Sequence, residues 1–368
     1  MQSVPGDYAN LRGRIITLDC RWLGLGGAGR VTELLLAELR DIEPTGAWLL
    51  WGDPNRLVSL TFPGSSVAPW HGHPTRWFGQ ADFLGVPRAD VVVYLHQIRP
   101  LRSGPSVTVV HDTIPLRFER HRPARMLKKA FFEAACRLST RIVTVSPWSR
   151  DSIVRDLGVR PSKIVTATLG VEPERGSRIR AIRERDKRVE QVLFVGRFAP
   201  HKNLERLCRA FQLTAFRRNG GRLLLVGGTD AETGALSVWV AGARIAGVDV
   251  RAACTEAELD ELLATCRALV QPSLEEGYGL PAVEAAVVGV QVAVSRTGYA
   301  AEIPASLASF LDPLNEHSIA AAIDTAVARS DAATPWRPQS TLARDVLVAV
   351  ASTLAKQKLE LRSHAADR

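Results

Sequence analysis

The chain has no run of about eighteen consecutive apolar residues, the length a membrane-spanning helix needs. Its first ten residues, Met1 to Asn10, are polar and lack the basic-then-apolar layout of a secretory signal. A cytosolic protein is the expectation. Cysteine is scarce: Cys20, Cys136, Cys208, Cys254 and Cys266 are five in number, widely spaced, and form no Cys-x-x-Cys pair. An odd, dispersed set argues against a disulfide frame or a zinc site, and mostly apolar neighbours predict buried reduced thiols. No Asp-x-Asp pair occurs, so there is no carboxylate platform for Mg²⁺ or Mn²⁺, and no metal-spaced His/Cys cluster either. Neither a metal nor another cofactor is expected. Short-period repeats and low-complexity tracts are missing too.

What is present is a chain of 368 residues, comfortable for two domains that each bury a core. Its formal charge of +9 is compatible with nucleic acid, an anionic membrane face or phosphate-bearing substrates. No aromatic-basic stripe or nucleic-acid module accompanies it, so nucleic acid is not an expected partner. The densest cations are Arg117, Arg120, Arg122, Arg125, Lys128 and Lys129, opposed by Glu119, with Phe118, Met126, Leu127, Phe131 and Phe132 interleaved. A solvated helix face and a membrane-docking edge both fit that segment.

Apolar periodicity predicts strands at 14–19, 47–51, 90–95, 106–111, 141–146 and 163–168, with helices at 124–138 and 149–157 and a helical spacing from Val31 to Leu39. Residues 54–88, rich in Pro, Gly, His and Trp, read as loops. The stretch from Glu172 to Arg188 is dense in charge and poor in apolar residues, which suits a linker. Alternation then restarts, with strands at 191–195, 222–226, 248–252, 268–271 and 292–295. Helices are expected at 204–216, 235–246, 256–265 and 281–288, and a terminal one at 342–361. Strands alternating with helices imply parallel sheets covered on both faces. The domains expected are 1–172, a linker 173–189, a second domain 190–335, and a C-terminal helix and tail 336–368.

The strongest motif is Glu276-Gly277-Tyr278-Gly279-Leu280-Pro281-Ala282-Val283-Glu284, which follows a strand and opens a helix. Glycines admit a close ligand, Pro281 suits a first helical turn, and the free amides of a helix start can hold a phosphate. Glu276 and Glu284 flank those amides and can accept hydrogen bonds from hydroxyls on either side, as a nucleotide sugar offers; Glu284 could equally serve only the helix dipole. The second motif, Gly196-Arg197-Phe198-Ala199-Pro200-His201-Lys202-Asn203, brings two cations to a strand's C-terminal end, where open parallel sheets bind ligands. Solvated surface cations are the plainer alternative.

These two elements together resemble the retaining glycosyltransferases of the GT-B fold, glycosyltransferase family four, and "LVQPSLEEGYGLPAVEA" is highly characteristic of them. The resemblance implies an α/β chain of two Rossmann-like parallel-sheet domains facing a central cleft, with a C-terminal helix. It implies that Arg197 and Lys202 bind the donor's pyrophosphate, that Glu276 contacts the donor sugar and that Glu284 binds the ribose hydroxyls. Gly277, Tyr278, Gly279 and Leu280 would offer backbone amides, with Gly196 and Asn203 also at the donor. In the first half "VTVVHDTIPLRF" is similar to the family's His-Asp segment, which makes His111 the residue that reaches the donor sugar; a buried structural histidine is the alternative. "TVSPWSRDSI" resembles its Ser-x-x-Ser segment. Leu169, Glu172 and Ala301-Glu302 depart from the family's usual Asn, Asp and Pro-Glu.

A rival is Gly24-Leu25-Gly26-Gly27-Ala28-Gly29, a dinucleotide fingerprint trailed by Asp53, which alone would suggest a nicotinamide or flavin enzyme. The family has a glycine loop at this place, so Gly26, Gly27 and Gly29 are read as a cleft loop. The expected function is hexosyl transfer, with retention, from GDP-mannose or a dTDP- or UDP-sugar to a saccharide or lipid-linked acceptor, in cell-surface polysaccharide or glycolipid synthesis. The protein would be cytoplasmic, with peripheral contact at the inner face of an anionic membrane. A nucleotide-sugar epimerase of the same fold and a non-catalytic nucleotide-sugar-binding subunit are the alternatives.

Overall fold

A computed structural model of the chain describes residues 9–70, 85–329, 336 and 338–366. These fall into two compact units, Met1–Gly170 joined by Gln339–Arg368, and Val171–Pro338.

The first unit is built on a seven-stranded parallel sheet in the order β3-β2-β1-β4-β5-β6-β7. The strands are β1 (Ile15–Asp19), β2 (Ala47–Gly52), β3 (Ser65–Pro69), β4 (Val91–Tyr94), β5 (Ser106–Val109), β6 (Arg141–Thr144) and β7 (Ile164–Thr166). Every residue of β4 and β5 is buried, as continuous runs such as Val-Val-Val-Tyr require when helices cover both faces. Residues 54–88, expected to be loops, contain the helical turn Pro54–Leu57 and β3; residues 71–84 lie outside the described ones. β3 escapes a hydrophobic-pattern search because it is an edge strand of Ser, Ala and Pro that buries none of its residues fully. The terminal helix Leu342–Ala366 is fastened to this unit: Ser352 Oγ accepts from Arg141 Nε at 3.1 Å, and Glu38 Oε2 accepts from the Ala343 amide at 2.9 Å.

The second unit repeats the plan with six parallel strands in the order β10-β9-β8-β11-β12-β13. They are β8 (Gln191–Val195), β9 (Arg222–Gly228), β10 (Val248–Ala252), β11 (Ala268–Gln271), β12 (Gln291–Ser295) and β13 (Ala308–Leu311). β13 and the helix Glu316–Ala328 were not anticipated; four residues and an alanine-rich face give little periodic signal. The expected helix 204–216 is broken into Leu204–Gln212 and Ala215–Arg218, because Thr214 caps the second piece.

The linker expected at 173–189 is a correction. Pro173–Arg185 is a helix of the second unit, and its charges are not all solvated. Arg183 Nη1 donates to the carbonyls of Ala264 (2.9 Å) and Cys266 (3.1 Å), and Arg175 is 2% exposed. A charge-rich sequence reads as a solvated tether only until specific partners are found for its guanidinium groups.

In each unit the strand order reverses beside the unit's first strand: between β1 and β4, and between β8 and β11. Crevices outside the carboxyl ends of such strand pairs are where open α/β sheets take ligands.

Candidate active site

In the second unit the two motifs leave the two strands that flank this switch point. Gly196-Arg197 follows β8 and Pro272 to Gly279 follows β11. The loops are tied together: the Leu274 amide donates to the His201 carbonyl at 2.8 Å. Asn203, in the left-handed region at φ 63°, spends its side-chain amide on the carbonyls of Pro272 (3.1 Å) and Pro313 (2.7 Å). Gly279 is the N-cap of helix Leu280–Val287 at φ 91°, and a Cβ there would lie 3.1 Å from Ala300 Cβ. Glycine permits so tight a turn into the helix. Pro281 has no N–H, and the Ala282 and Val283 amides donate to the Gly279 carbonyl at 3.0 and 3.1 Å, so of the first turn the Leu280 amide is the one left to donate.

Lys202 and Glu276 meet at the crevice. Glu276 Oε2 accepts from Lys202 Nζ at 2.6 Å, Gln271 Nε2 at 2.6 Å and Ser273 Oγ at 3.0 Å. Three donors load Oε2, and among the described residues none donates to Oε1, which keeps its capacity to accept. Burial works against the ionised Glu276, but Lys202 and the bond from Gln271 outweigh it and hold its pKa below the ordinary 4.5. His201 is lowered to about 4 by burial and by neighbouring Lys202, so it adds no charge at neutral pH. Arg197 lies further out, its side chain 72% exposed and 3.2 Å from Glu232 Oε1.

Glu284 lies in helix Leu280–Val287 just past its first turn and is buried, with Oε1 2.5 Å from Arg175 Nη1. Tyr278 is buried, its ring stacked on Tyr299 at 4.7 Å. The second unit thus brings Gly196, Lys202, Glu276 and the Gly277–Leu280 turn to one edge, with Glu284 behind the turn and Arg197 at the rim.

The first unit has the matching carboxyl edge beside β1 and β4. Gly24-Leu25-Gly26 turns from β1 into helix Gly26–Ile42, and a Cβ on Gly29 would meet the Gly24 amide nitrogen at 2.7 Å and the Trp22 carbonyl at 2.8 Å. Asp53, the acidic residue of the rival dinucleotide reading, is a helix cap that accepts from the Asn55 amide at 3.0 Å. His111 Nε2 donates to the Leu95 carbonyl at 3.0 Å; since a carbonyl only accepts, Nδ1 is the lone-pair nitrogen. Burial lowers His111 to about 4, partly opposed by that bond, and the ring is neutral.

Sequence reasoning missed His96. It stands just past β4 at the switch point, stacks on Trp22 at 3.9 Å, and lies 5.5 Å from the His111 ring. Its Nδ1 accepts from the Ile98 amide at 2.9 Å, so Nε2 carries the proton. Burial, then His111 and Arg21, push its pKa well below the usual value. Asking which histidine follows a strand beside β1 would have found it. Arg21 was missed as well: it is buried, bonded through Nε and Nη2 to Asp19 at 2.8 Å each, and stacked 4.2 Å from the Trp51 ring.

Known proteins fit this arrangement. The Glycosyltransferase Family 4 model matches residues 25–175 and the Glycosyl transferases group 1 model residues 177–341. The O-antigen chain mannosyltransferase B of Escherichia coli is 28% identical over 235 residues, and the match spans 61% of this chain and 61% of that protein. The O-antigen chain mannosyltransferase RfbU of Salmonella typhimurium is 26% identical over 277 residues, 73% of this chain and 74% of its own. WaaG, a glycosyltransferase involved in lipopolysaccharide biosynthesis, superposes with a TM-score of 0.63 at 17% identity, over 96% of this chain and 98% of that one. Anabaena HepE in complex with UDP-glucose gives 0.60 at 16% identity, over 95% and 100%. Likeness at that identity shows the fold, which is GT-B, and not the substrate.

Proposed function

We propose that this chain, which belongs to the group 1, family 4 glycosyltransferases, moves a hexosyl group from a nucleotide-diphosphate sugar to a saccharide or lipid-linked saccharide, with retention. The observation that carries the proposal is the crevice edge between β8 and β11. There a lysine, a carboxylate with one oxygen left to accept and a glycine-opened helix start stand together, with a second carboxylate behind them.

Each part has a task in that reaction. The Leu280 amide at the helix start, Lys202 and Arg197 take the diphosphate, and they stabilise charge that grows on the leaving oxygen as the C1–O bond breaks. Glu276 accepts from a hydroxyl of the donor sugar through Oε1, and Glu284 accepts from the ribose. His111, neutral with Nδ1 as acceptor, takes a further sugar hydroxyl. The acceptor oxygen attacks C1 from the face the diphosphate leaves, and its proton passes to a departing phosphate oxygen. The donor binds mainly at the second unit.

The relatives' names favour mannose, so GDP-mannose heads the donors to try, before dTDP- and UDP-sugars, and the product belongs to a cell-surface polysaccharide or glycolipid. Work at the cytoplasmic face is supported by the helix Arg122–Leu138, where Met126 is 70% and Leu127 57% exposed between Arg125 and Lys129. Among the described residues no helix is long and apolar enough to cross a membrane, so contact with anionic lipid would be peripheral.

The test is incubation with each nucleotide sugar and saccharide or lipid-diphosphate acceptors, with the product's anomeric proton read by NMR. A glycosylated acceptor with the donor's anomeric configuration supports the proposal. An inverted product refutes retention, and an isomerised nucleotide sugar without transfer refutes the reaction class.

A further inference from the structure

The helix that replaces the expected linker carries a buried cation into the nucleotide site. Arg175 lies in the first turn of Pro173–Arg185 and is 2% exposed. Its Nε donates to Asp260 Oδ1 at 2.8 Å and lies 3.2 Å from Glu256 Oε1, while Nη1 donates to Glu284 Oε1 at 2.5 Å. Asp260 and Glu256 belong to helix Glu256–Thr265 and Glu284 to helix Leu280–Val287, so one guanidinium joins three helices.

Arg175 is not needed to neutralise Asp260. Arg178 already binds Asp260 Oδ2 through Nε (2.9 Å) and Nη2 (2.7 Å), and lies 3.8 Å from Glu256. What Arg175 reaches and Arg178 does not is Glu284. A guanidinium is a rigid planar fork, so with Nε fixed on Asp260 the direction of Nη1 is set, and the Glu284 carboxylate with it. Burial opposes the Arg175 cation, but Glu284 and Asp260 outweigh it and raise its pKa. An ionised carboxylate has about four acceptor positions, so a bond to Arg175 is compatible with bonds from ribose hydroxyls.

The geometry points to Arg175 as a positioning residue for the nucleotide: through Oε1 it fixes Glu284 in the orientation that accepts the ribose hydroxyls. This rests on the proposed ribose role of Glu284. Ribose affinity is then set by a side chain that acts only through another, in a segment whose sequence looks like a tether.

The experiment is calorimetric titration of the full chain with GDP and 2′,3′-dideoxy-GDP, and with UDP and its dideoxy form, for wild type, R175Q, R175K, R178Q and E284Q. Wild type should prefer the ribonucleotide by about tenfold or more, the worth of one or two hydrogen bonds to a charged group. E284Q should abolish that preference, and R175Q should remove most of it. R175K keeps the charge, and with it the fold should R175Q fail to fold. An ammonium on a flexible stem has no rigid fork to fix Asp260 and Glu284 in set directions, so R175K should also lose most of the preference. R178Q, which touches the same network but not Glu284, should retain it. If E284Q loses the preference while R175Q and R175K keep it, the positioning role is refuted and the ribose role stands. If R178Q loses it as fully as R175K, the effect is general loosening and the positioning role is likewise refuted. If E284Q keeps it, both the ribose role and the positioning role fall.

Discussion

Replacing Lys202 with Ala tests leaving-group stabilisation, and the structure attaches a stability cost to it. Lys202 and Glu276 are each only 13% exposed at the side chain and 2.6 Å apart. Removing the ammonium takes away one of three donors on Glu276 Oε2; Gln271 and Ser273 remain. Loss of one charged partner with the others kept should cost about 1–3 kcal/mol. The pH dependence carries a definite sign. The folded-state pKa of Glu276 lies below its ordinary 4.5 because Lys202 overcomes the effect of burial. A lowered carboxylate contributes stability that is full above the unfolded value and disappears as pH falls through the folded one. The difference between wild type and K202A should therefore be largest near neutral pH and shrink on acidification below about 4.5. Turnover at saturating donor, measured by nucleoside diphosphate release and corrected to the folded fraction, should fall roughly 10²–10³-fold, the usual loss for one transition-state electrostatic partner. Normal turnover in folded K202A would refute the leaving-group role. A stability difference that stays constant down to pH 3 would refute the ion-pair account.

Arg197→Ala removes a cation that is 72% exposed; urea denaturation should move by less than about 0.5 kcal/mol while turnover drops at least about tenfold. Gly279→Ala forces a side chain into φ 91° with its Cβ 3.1 Å from Ala300, so thermal denaturation should register a loss of about 1–2 kcal/mol or more, accompanied by weaker nucleotide binding. Changing Arg120, Arg122, Arg125, Lys128 and Lys129 together to Gln should abolish salt-sensitive sedimentation with anionic vesicles, at about 1 kcal/mol per cation. Wild type that ignores anionic vesicles at low salt would leave that helix as a solvated face.

The part of the fold that was legible was the part written in period and punctuation. β8, β11 and the turn at Gly277–Pro281 could be placed because continuous apolar runs end in Gly and Pro, and those marks also locate the carboxyl edge where ligands bind. β3 and β13 were not: both are edge strands, and Ser-Ser-Val-Ala-Pro and Ala-Ser-Phe-Leu carry too little apolar contrast. The helix Asp230–Gly242 was read five residues late, although its Thr229 and Glu232 form a capping box that marks the start. Charge misled most. The stretch 173–189 reads as a linker, because composition records how many guanidinium groups there are and not what they face. Arg175 and Arg183 find their partners 81 to 109 positions away, and no local pattern encodes that. His96 and Trp22 stayed hidden for a related reason: each is ordinary alone, and only the parallel pairing of β1 with β4 sets them side by side.

The central claim is that the crevice between β8 and β11 holds a nucleotide sugar, and thermal denaturation across GDP-, dTDP-, UDP- and ADP-sugars tests it most directly. One of these ligands, at about 100 times its Kd, should add ~2.7 kcal/mol of stability. The free nucleoside diphosphate should reproduce most of that gain, and at the same ligand concentration E284Q should lose about half or more of both gains. No stabilisation of the folded wild type by any of the four, or a gain that E284Q keeps in full, would contradict the account.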